Sequence, residues 1–320
     1  MKASTLLCGV TLALSVGVAH AAYPDRPVRV IVGFSAGGPT DVIARAFAEQ
    51  ATRSLGQTFV IENKPGANTT LAANAVANAK PDGYTLLLSA TNHTMIPALY
   101  SDKVGFDALK SFTPVCTLAI SPTALVVGTS MPVKTVSEFL QQVKAEPGLH
   151  TYATPGTGSS GHFAAAQFLK LTGTSMNHIP YKGAAQAITD LLGGQVDSSF
   201  ATLGSVLPQL QSGKLHALAV ASPNRSAFLP DVPTFEESGV KDYNADAWYG
   251  LLAPANTPAD VLAALEKVST EFAKSPETAK KLQSLGMQPQ NTCGSAFDRQ
   301  MTQEVDNYTN MARELGLKSE

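Results

Sequence analysis

The sequence has few charged residues, few cysteines and no excess of basic side chains. Charged residues make up 15% of the 320 residues, and 23 Lys and Arg against 25 Asp and Glu give a net charge of −2. Nucleic-acid-binding proteins usually carry a basic surplus, so we expect no nucleic acid among the partners. The 3 cysteines and 6 histidines show no metal-ligand spacing, and we therefore predict neither a metal site nor a cofactor.

Long apolar runs are also missing, apart from one near the N-terminus. Lys2 is followed by an apolar run over Leu6–Ala19 and by the small-residue pattern Ala19-His20-Ala21. The run is shorter than the ~20 residues that cross a bilayer. We interpret residues 1–21 as a secretory signal peptide and expect export, to the periplasm in a Gram-negative source. The bulky Leu7 before Cys8 argues against lipidation.

Removal of the signal peptide would leave Cys116 and Cys293 as the cysteines of the mature chain. In an oxidising compartment two cysteines can pair. The alternative is two separate buried thiols that behave as small apolar side chains. The sequence alone leaves both possibilities open.

The remaining sequence alternates between β-branched runs and amphipathic stretches. Val28–Val32 reads as a strand and Asp41–Leu55 as a helix, and a similar strand–helix series fills residues 124–221. Residues 258–316 read as mostly helical. This rhythm is typical of α/β proteins in which helices cover the faces of parallel sheets.

Two such series in one chain predict two lobes. We divide the mature chain into a discontinuous first domain, residues 22–122 and 222–320, and a second domain, residues 123–221. The cleft between two lobes is the usual place for a ligand.

Two glycine-rich turns each join a predicted strand to a predicted helix. They cover Gly33–Asp41, here called the first loop, and Thr154–His162, the second loop. Glycines expose backbone N–H groups, and a helix N-terminus adds the positive end of the helix dipole. Neither loop contains Lys or Arg, and a set of neutral donors suits a small carboxylate. Asp41 either caps its own helix or meets an ammonium group of the ligand.

We predict ligand contacts from both loops and from positions expected beside the cleft. The candidates are Phe34, Ser35, Ala36, Gly37, Gly38, Thr40, Asp41, Asn92, His93, Thr154, Gly158, Ser159, Ser160, His162 and Thr202.

Two enzyme motifs resemble the second loop in part. Residues 156–161 match G-x-G-x-x-G, but the first acidic residue after them is Asp190, too far along the chain to hold a dinucleotide ribose. The nucleophile motif G-x-S-x-G is absent, because His162 stands where its second glycine belongs. We therefore expect no enzymatic activity.

The sequence resembles the substrate-binding proteins of tripartite tricarboxylate transporters, also called the Bug family. Matching segments run in order along the whole mature chain: Tyr23–Pro27, Gly33–Asp41, Asn63–Ala67, Lys80–Leu86, His93 with Pro97–Tyr100, Phe112–Val115, Tyr152–His162, Ile179–Gly183, Gly213–Leu215, Ala217–Val220, Leu229–Thr234 and Trp248–Pro254.

This resemblance implies a type II periplasmic-binding-protein fold with a ligand cleft between two lobes. It also implies a monomer that binds di- or tricarboxylates, acidic amino acids or aromatic acids through the two loops and delivers them to membrane transporter subunits. The chain departs from the family pattern at Asn68-Thr69-Thr70, Ile96 and Ala201-Thr202. The ligand therefore cannot be copied from any one relative.

Two alternatives stay open at this stage. A sensor that presents its closed form to a membrane kinase would need the same cleft. A small-acid hydrolase or isomerase would need a positioned base, for which His93 and His162 are the candidates.

Overall fold

The computed structural model describes residues 23–100, 104–243 and 245–317, so the predicted signal peptide lies outside the described residues. In these three stretches, no helix combines the length and the apolar character that crossing a membrane requires.

The first lobe is built on a six-stranded sheet. Its strand order is β11-β4-β10-β3-β1-β2, with β1, β2 and β3 parallel and β10 antiparallel to both β3 and β4. Its elements are β1 (Val28–Val32), α1 (Pro39–Leu55), β2 (Phe59–Asn63), a 3₁₀ turn (Ala67–Thr69), α2 (Thr70–Ala77), β3 (Thr85–Ala90), α3 (Asn92–Tyr100), β4 (Phe112–Ser121), β10 (Ala247–Pro254), α8 (Ala259–Lys274), α9 (Pro276–Gln283), β11 (Gln288–Pro289) and α10 (Gly294–Leu315).

The second lobe is built on a five-stranded sheet with the order β7-β6-β8-β5-β9. Strands β6, β7 and β8 are parallel, and β5 is antiparallel to β8 and β9. Its elements are β5 (Thr123–Val127), α4 (Val136–Ala145), β6 (Thr151–Thr154), α5 (Ser160–Thr172), β7 (Asn177–Pro180), α6 (Ala184–Leu192), β8 (Ser198–Thr202), α7 (Leu203–Gln211) and β9 (His216–Val220).

Apolar side chains cover both faces of each sheet. In the first lobe, one face packs around Phe47 and Phe272 and the other around Trp248 and Phe297. The central strands are almost continuously apolar, as the Val28–Val32 run is, because helices lie on both sides of them. The α/β fold with two lobes is therefore confirmed.

The chain passes from the first lobe to the second at Pro122, between β4 and β5, and returns before β10. Phe235, Val240 and Tyr243 pack in the core of the second sheet, although they follow Ala221. The division of the chain at residue 221 stays a prediction, but these contacts favour a return crossing closer to β10.

A disulfide joins Cys116 in the middle of β4 to Cys293, the residue before α10. The pairing alternative is confirmed. The two cysteines also form an antiparallel bridge that extends the sheet edge. The bond fixes the N-terminal end of the longest helix to the first-lobe sheet.

Candidate functional site

The two glycine-rich loops occupy equivalent positions in the two lobes. Strand β1 lies between β2 and β3, and β6 lies between β7 and β8, with all neighbours parallel. Each loop leaves the carboxyl end of that central strand and enters a helix, α1 or α5. Ligands of open α/β sheets bind outside the carboxyl ends of the strands.

The first loop presents backbone donors at the start of α1. The helix begins at Pro39, the expected first position, and Gly38 is its N-cap without a side-chain hydrogen bond. Val42 N donates to Gly38 O as the first helical bond. Among the described residues, no partner accepts the backbone N–H groups of Ser35, Ala36, Gly38 and Thr40.

A buried carboxylate holds this loop in shape. Asp41 is 2% exposed and accepts hydrogen bonds of 2.9 Å from Gly37 N, from two nitrogens of Arg45 and from Asn63 Nδ2. Asn63 Nδ2 also donates to Phe34 O. Burial alone would raise the pKa of Asp41, but the bonds from Arg45, Gly37 and Asn63 outweigh it and lower the pKa.

The helix-cap role predicted for Asp41 is wrong, because Gly38 is the N-cap of α1. The contact of Asp41 with a ligand ammonium stays a prediction; in the structure Arg45 and Asn63 donate to its carboxylate. The Gly37 N–H donates inside the loop and is not among the donors offered to an anion.

The second loop uses some of its own donors in a similar way. Gly156 N donates to Thr154 Oγ1 over 3.3 Å and Gly158 N to His162 Nδ1 over 3.1 Å. Ser159 is the N-cap of α5, where its side chain accepts from His162 N. For the backbone N–H groups of Thr157, Ser160 and Gly161, the part of the chain that the structure describes supplies no acceptor.

The side chains of Thr154, Ser159 and His162 therefore stabilise the second loop itself, and the predicted direct ligand contacts are untested. What the two loops share is a group of unpaired backbone donors at a helix N-terminus, and the structure carries this arrangement on both lobes.

A strained turn lies between the loops and contacts both. Ala67, Asn68 and Thr69 have φ values of 45°, 48° and 71°, the left-handed region that is costly for residues other than glycine. Asn68 Nδ2 donates to Gly158 O across the lobes over 3.2 Å. Thr69 packs so closely on Gly33 that a Cβ on that glycine would lie 2.5 Å from the threonine Cβ.

The second loop has a further contact with the first lobe. The Tyr100 hydroxyl at the end of α3 donates to Thr157 O over 3.3 Å. A Cβ on Gly158 would lie 2.8 Å from Asn68 Nδ2 and 2.9 Å from a methyl group of Leu99. The second loop therefore packs directly against the first lobe, and Gly158 has a φ of 77°, which favours glycine at this position.

Asn92 and His93, at the start of α3, differ in their surroundings. Asn92 is 4% exposed and donates to Thr69 Oγ1 over 2.7 Å, while its Oδ1 atom is buried without a hydrogen-bond partner. His93 is enclosed by the rings of Phe106 and Phe112, and its Nε2 lies 2.8 Å from Ala108 O.

This burial lowers the pKa of His93 to about 4. We expected His93 to face the cleft. Its side chain instead packs against the rings of Phe106 and Phe112 in the core of the first lobe. Thr202, at the end of β8, is half-buried and pairs with Ser205 Oγ over 3.0 Å.

Sequence reasoning did not list Asn63 and His178 as site residues, although both bind to the loops through their side chains. Asn68 and Thr69 belong to the departure from the family pattern at Asn68-Thr69-Thr70, and the structure places both in contact with site residues. Asn63 belongs to the matching segment Asn63–Ala67, but its contact with Asp41 joins distant parts of the chain and exists only after folding.

A cavity of about 490 Å³ opens on another side of α5, facing α10. Gln167, Lys170, Asp246 and Tyr308 are among its lining residues, and from the second loop only Ser160 reaches it. Apart from Ser160, none of the residues that carry the unpaired donors of the loops lines this cavity. Across residues 23–100, 104–243 and 245–317, no three His, Cys, Asp or Glu side chains gather as they would around a metal ion.

The fold is that of the two-lobed periplasmic binding proteins, a class of solute receptors that are not enzymes. The sequence model of the tripartite tricarboxylate transporter family receptor matches residues 43–317. The chain belongs to this receptor family, whose members are receptors for tripartite transporters and bind small carboxylates.

Individual relatives agree with this assignment. Protein BugT of Bordetella pertussis is 32% identical over 309 residues, which cover 96% of this chain and 95% of the relative. The periplasmic binding protein BugD superposes with a TM-score of 0.86 at 34% identity, over 93% of this chain and all of BugD (100%). Rpa4515 of R. palustris, solved with adipate, superposes with a TM-score of 0.88 at 30% identity, over 93% and 100% of the two chains.

Proposed function

We propose that this protein is an exported receptor that binds a small organic carboxylate between its two loops and delivers it to a tripartite membrane transporter. One observation carries the proposal: each lobe offers unpaired backbone donors at the N-terminus of a helix, at equivalent places in the two sheets. Helix N-termini with free N–H groups favour anions.

The chemistry of the donors favours a carboxylate. The candidates are the N–H groups of Ser35, Ala36, Gly38 and Thr40 on the first lobe and of Thr157, Ser160 and Gly161 on the second. All are neutral, and neither loop contributes a cation, since Arg45 next to the first loop is engaged by Asp41. Support for a dicarboxylate comes from adipate in Rpa4515.

The proposed closing step uses the contacts seen between the lobes. A ligand that accepts from both loops interacts best when Gly158 and Thr157 lie against Asn68 and Tyr100. A ligand shifts a conformational equilibrium only when it binds one conformation more tightly than the other. Asn92 Oδ1, buried without a partner, would accept a hydrogen bond from a hydroxyl or protonated group of the ligand. A monomer suffices for this mechanism, and export depends on the signal peptide predicted over residues 1–21.

Gly38 offers the sharpest test of this proposal. Its φ is −79°, and an added Cβ would meet only Ser35 O at 3.6 Å, so alanine and aspartate both fit. A carboxylate in Gly38→Asp would lie at the proposed anion site and repel the ligand by about 4 kcal/mol at ~4 Å. We expect Gly38→Asp to bind at least ~100-fold more weakly than the wild type, and Gly38→Ala to stay within about threefold.

The measurement is a thermal-shift screen of adipate, malate, citrate, glutamate and benzoate, followed by calorimetry of the compounds that raise the melting temperature. Aspartate is a favoured N-cap, so Gly38→Asp without ligand should melt at or above the wild-type temperature. Equal affinity of the wild type and Gly38→Asp would refute the placement of the anion at the first loop.

A further inference from the structure

Three aromatic rings stack beneath the second loop. Tyr152 on β6 lies 5.0 Å from His178 on β7, with an interplanar angle of 19°. His178 in turn lies 4.2 Å from His162 on α5, with an angle of 7°. The stack joins two strands to the first turn of the helix, so each ring is fixed against another element of the lobe.

Ring nitrogens of both histidines bind to the loop. His178 Nε2 lies 2.7 Å from Thr154 Oγ1, and that oxygen accepts from Gly156 N. His162 Nδ1 accepts directly from Gly158 N. The loop is thus held at the amides of Gly156 and Gly158. The amide of Thr157, which lies between them, can donate to another acceptor.

The loop needs these anchors because its glycines do not restrict the backbone. Gly156 and Gly158 have φ values of 141° and 77°, in the region where only glycine is comfortable. A glycine gains much conformational freedom when its hydrogen bonds are removed. The side chains of His162 and His178 therefore supply the order that the loop sequence lacks.

We propose that His162 and His178 are positioning residues, which fix the second loop through Gly158 and through Thr154 and so orient the Thr157 amide toward the ligand. This inference rests on the proposed function for its effect on binding, but the effect on the loop is independent of any ligand. It assigns His162 a role different from the direct ligand contact predicted from sequence. Because Gly158 N–H is a donor, Nδ1 of His162 must be unprotonated in this arrangement.

The first experiment compares two variants of His162 in the ligand-free protein. His162→Asn retains an acceptor near the position of Nδ1, whereas His162→Phe retains a stacking ring and removes the acceptor. We expect amide hydrogen exchange at Gly158 to become about tenfold faster in His162→Phe and to stay close to the wild-type rate in His162→Asn. His216→Asn, at an exposed histidine on β9, serves as the matched control and should change nothing.

The second experiment tests the other anchor. His178→Gln retains a hydrogen-bonding group for Thr154, His178→Phe retains only the ring, and Thr154→Val removes the hydroxyl that links His178 to Gly156. His178→Phe and Thr154→Val should both accelerate exchange at Gly156, and His178→Gln should restore protection. These variants decide the proposal even if His162→Phe fails to fold.

Adipate is the probe for the effect on binding. We expect calorimetry to give about tenfold weaker adipate binding for His162→Phe and wild-type affinity, within about threefold, for His162→Asn. Unchanged exchange at Gly158 in His162→Phe, or equal loss of protection in His162→Asn, would overturn the positioning role. Failure of the wild type to bind adipate would count against the proposed ligand class and leave the exchange result as the deciding one.

Discussion

At the scale of single residues, the site depends on which backbone amides are already used. Gly37 donates to Asp41 and Gly158 to His162, while Ser35, Ala36 and Thr157 find no acceptor within the described stretches. The glycine spacing predicted both loops correctly. It could not separate used from unused donors, because Asn63 and His178, which complete the two networks, come from other strands.

Burial of His93 makes the stability of the protein depend on pH. The pKa of this histidine falls to about 4 because the ring is fully buried, against about 6.5 in an unfolded chain. Between these values the unfolded state binds the extra proton, so stability is complete above about pH 6.5 and is lost as the pH falls toward 4. We expect a loss on the order of 3 kcal/mol from this residue.

Urea denaturation at pH 7 and at pH 4 measures this loss. His93→Gln is the comparison, since glutamine can still donate to Ala108 O but does not titrate. The variant should show a flatter pH dependence than the wild type over this range. Equal slopes would contradict the assignment to His93 and would direct attention to His178, whose pKa burial also lowers to about 4.

At the scale of elements, the strand–helix alternation was predictable because each element has a clear period and a clear end. Strand Val28–Val32 has the bounds predicted for it, and the helix predicted over Asp41–Leu55 begins two residues earlier, at Pro39. Helices α3 and α7 were missed, since Pro97 and Pro208 stand inside them and proline normally ends a helix. The apolar run Ala247–Pro254 is a central strand, which periodicity alone does not identify.

The longest helix, α10, belongs to the first lobe but reaches the second. The Tyr308 ring lies 5.2 Å from Phe163 on α5, beside Met95 and Ala312, and Lys170 pairs with Glu314 over 2.6 Å. The sequence predicts this stretch as helical but gives no partner for its apolar face.

Tyr308→Ala should shift the protein toward an open form. Loss of the ring pair and of its buried area destabilises the closed form relative to the open form by about 1–2 kcal/mol. The ratio of closed to open molecules then falls about tenfold. Small-angle scattering of the ligand-free protein should then give a larger radius of gyration than the wild type. Lys170→Ala is the control, because an exposed ion pair contributes at most about 1 kcal/mol. An unchanged radius in Tyr308→Ala would show that this contact does not determine closure.

At the scale of the whole molecule, the bond between Cys116 and Cys293 spans a sequence separation of 177 residues. A bond that closes a long loop restricts the conformations of the unfolded chain more than one that closes a short loop. In the chain-entropy account, such a bond contributes about 4–5 kcal/mol to the unfolding free energy. We expect the Cys116→Ala, Cys293→Ala double variant to lose on the order of 2–5 kcal/mol of unfolding free energy.

Urea denaturation of the double variant and of the wild type, with and without reductant, measures this contribution. Reductant should destabilise the wild type and leave the double variant unchanged. Adipate affinity should stay within about threefold in both, since the bond joins β4 to α10 and neither loop takes part in it. A double variant as stable as the wild type would show that the bond contributes little beyond the packed core.

The same bond also links two residues that lie on either side of the second lobe along the chain. Both crossings between the lobes, at Pro122 and before Ala247, lie between the two cysteines along the chain. The chain from Cys116 to Cys293, which includes the whole second lobe, therefore forms a closed covalent ring. A single backbone cut anywhere on this ring separates no fragment from the rest, so a nicked chain keeps its two lobes covalently joined.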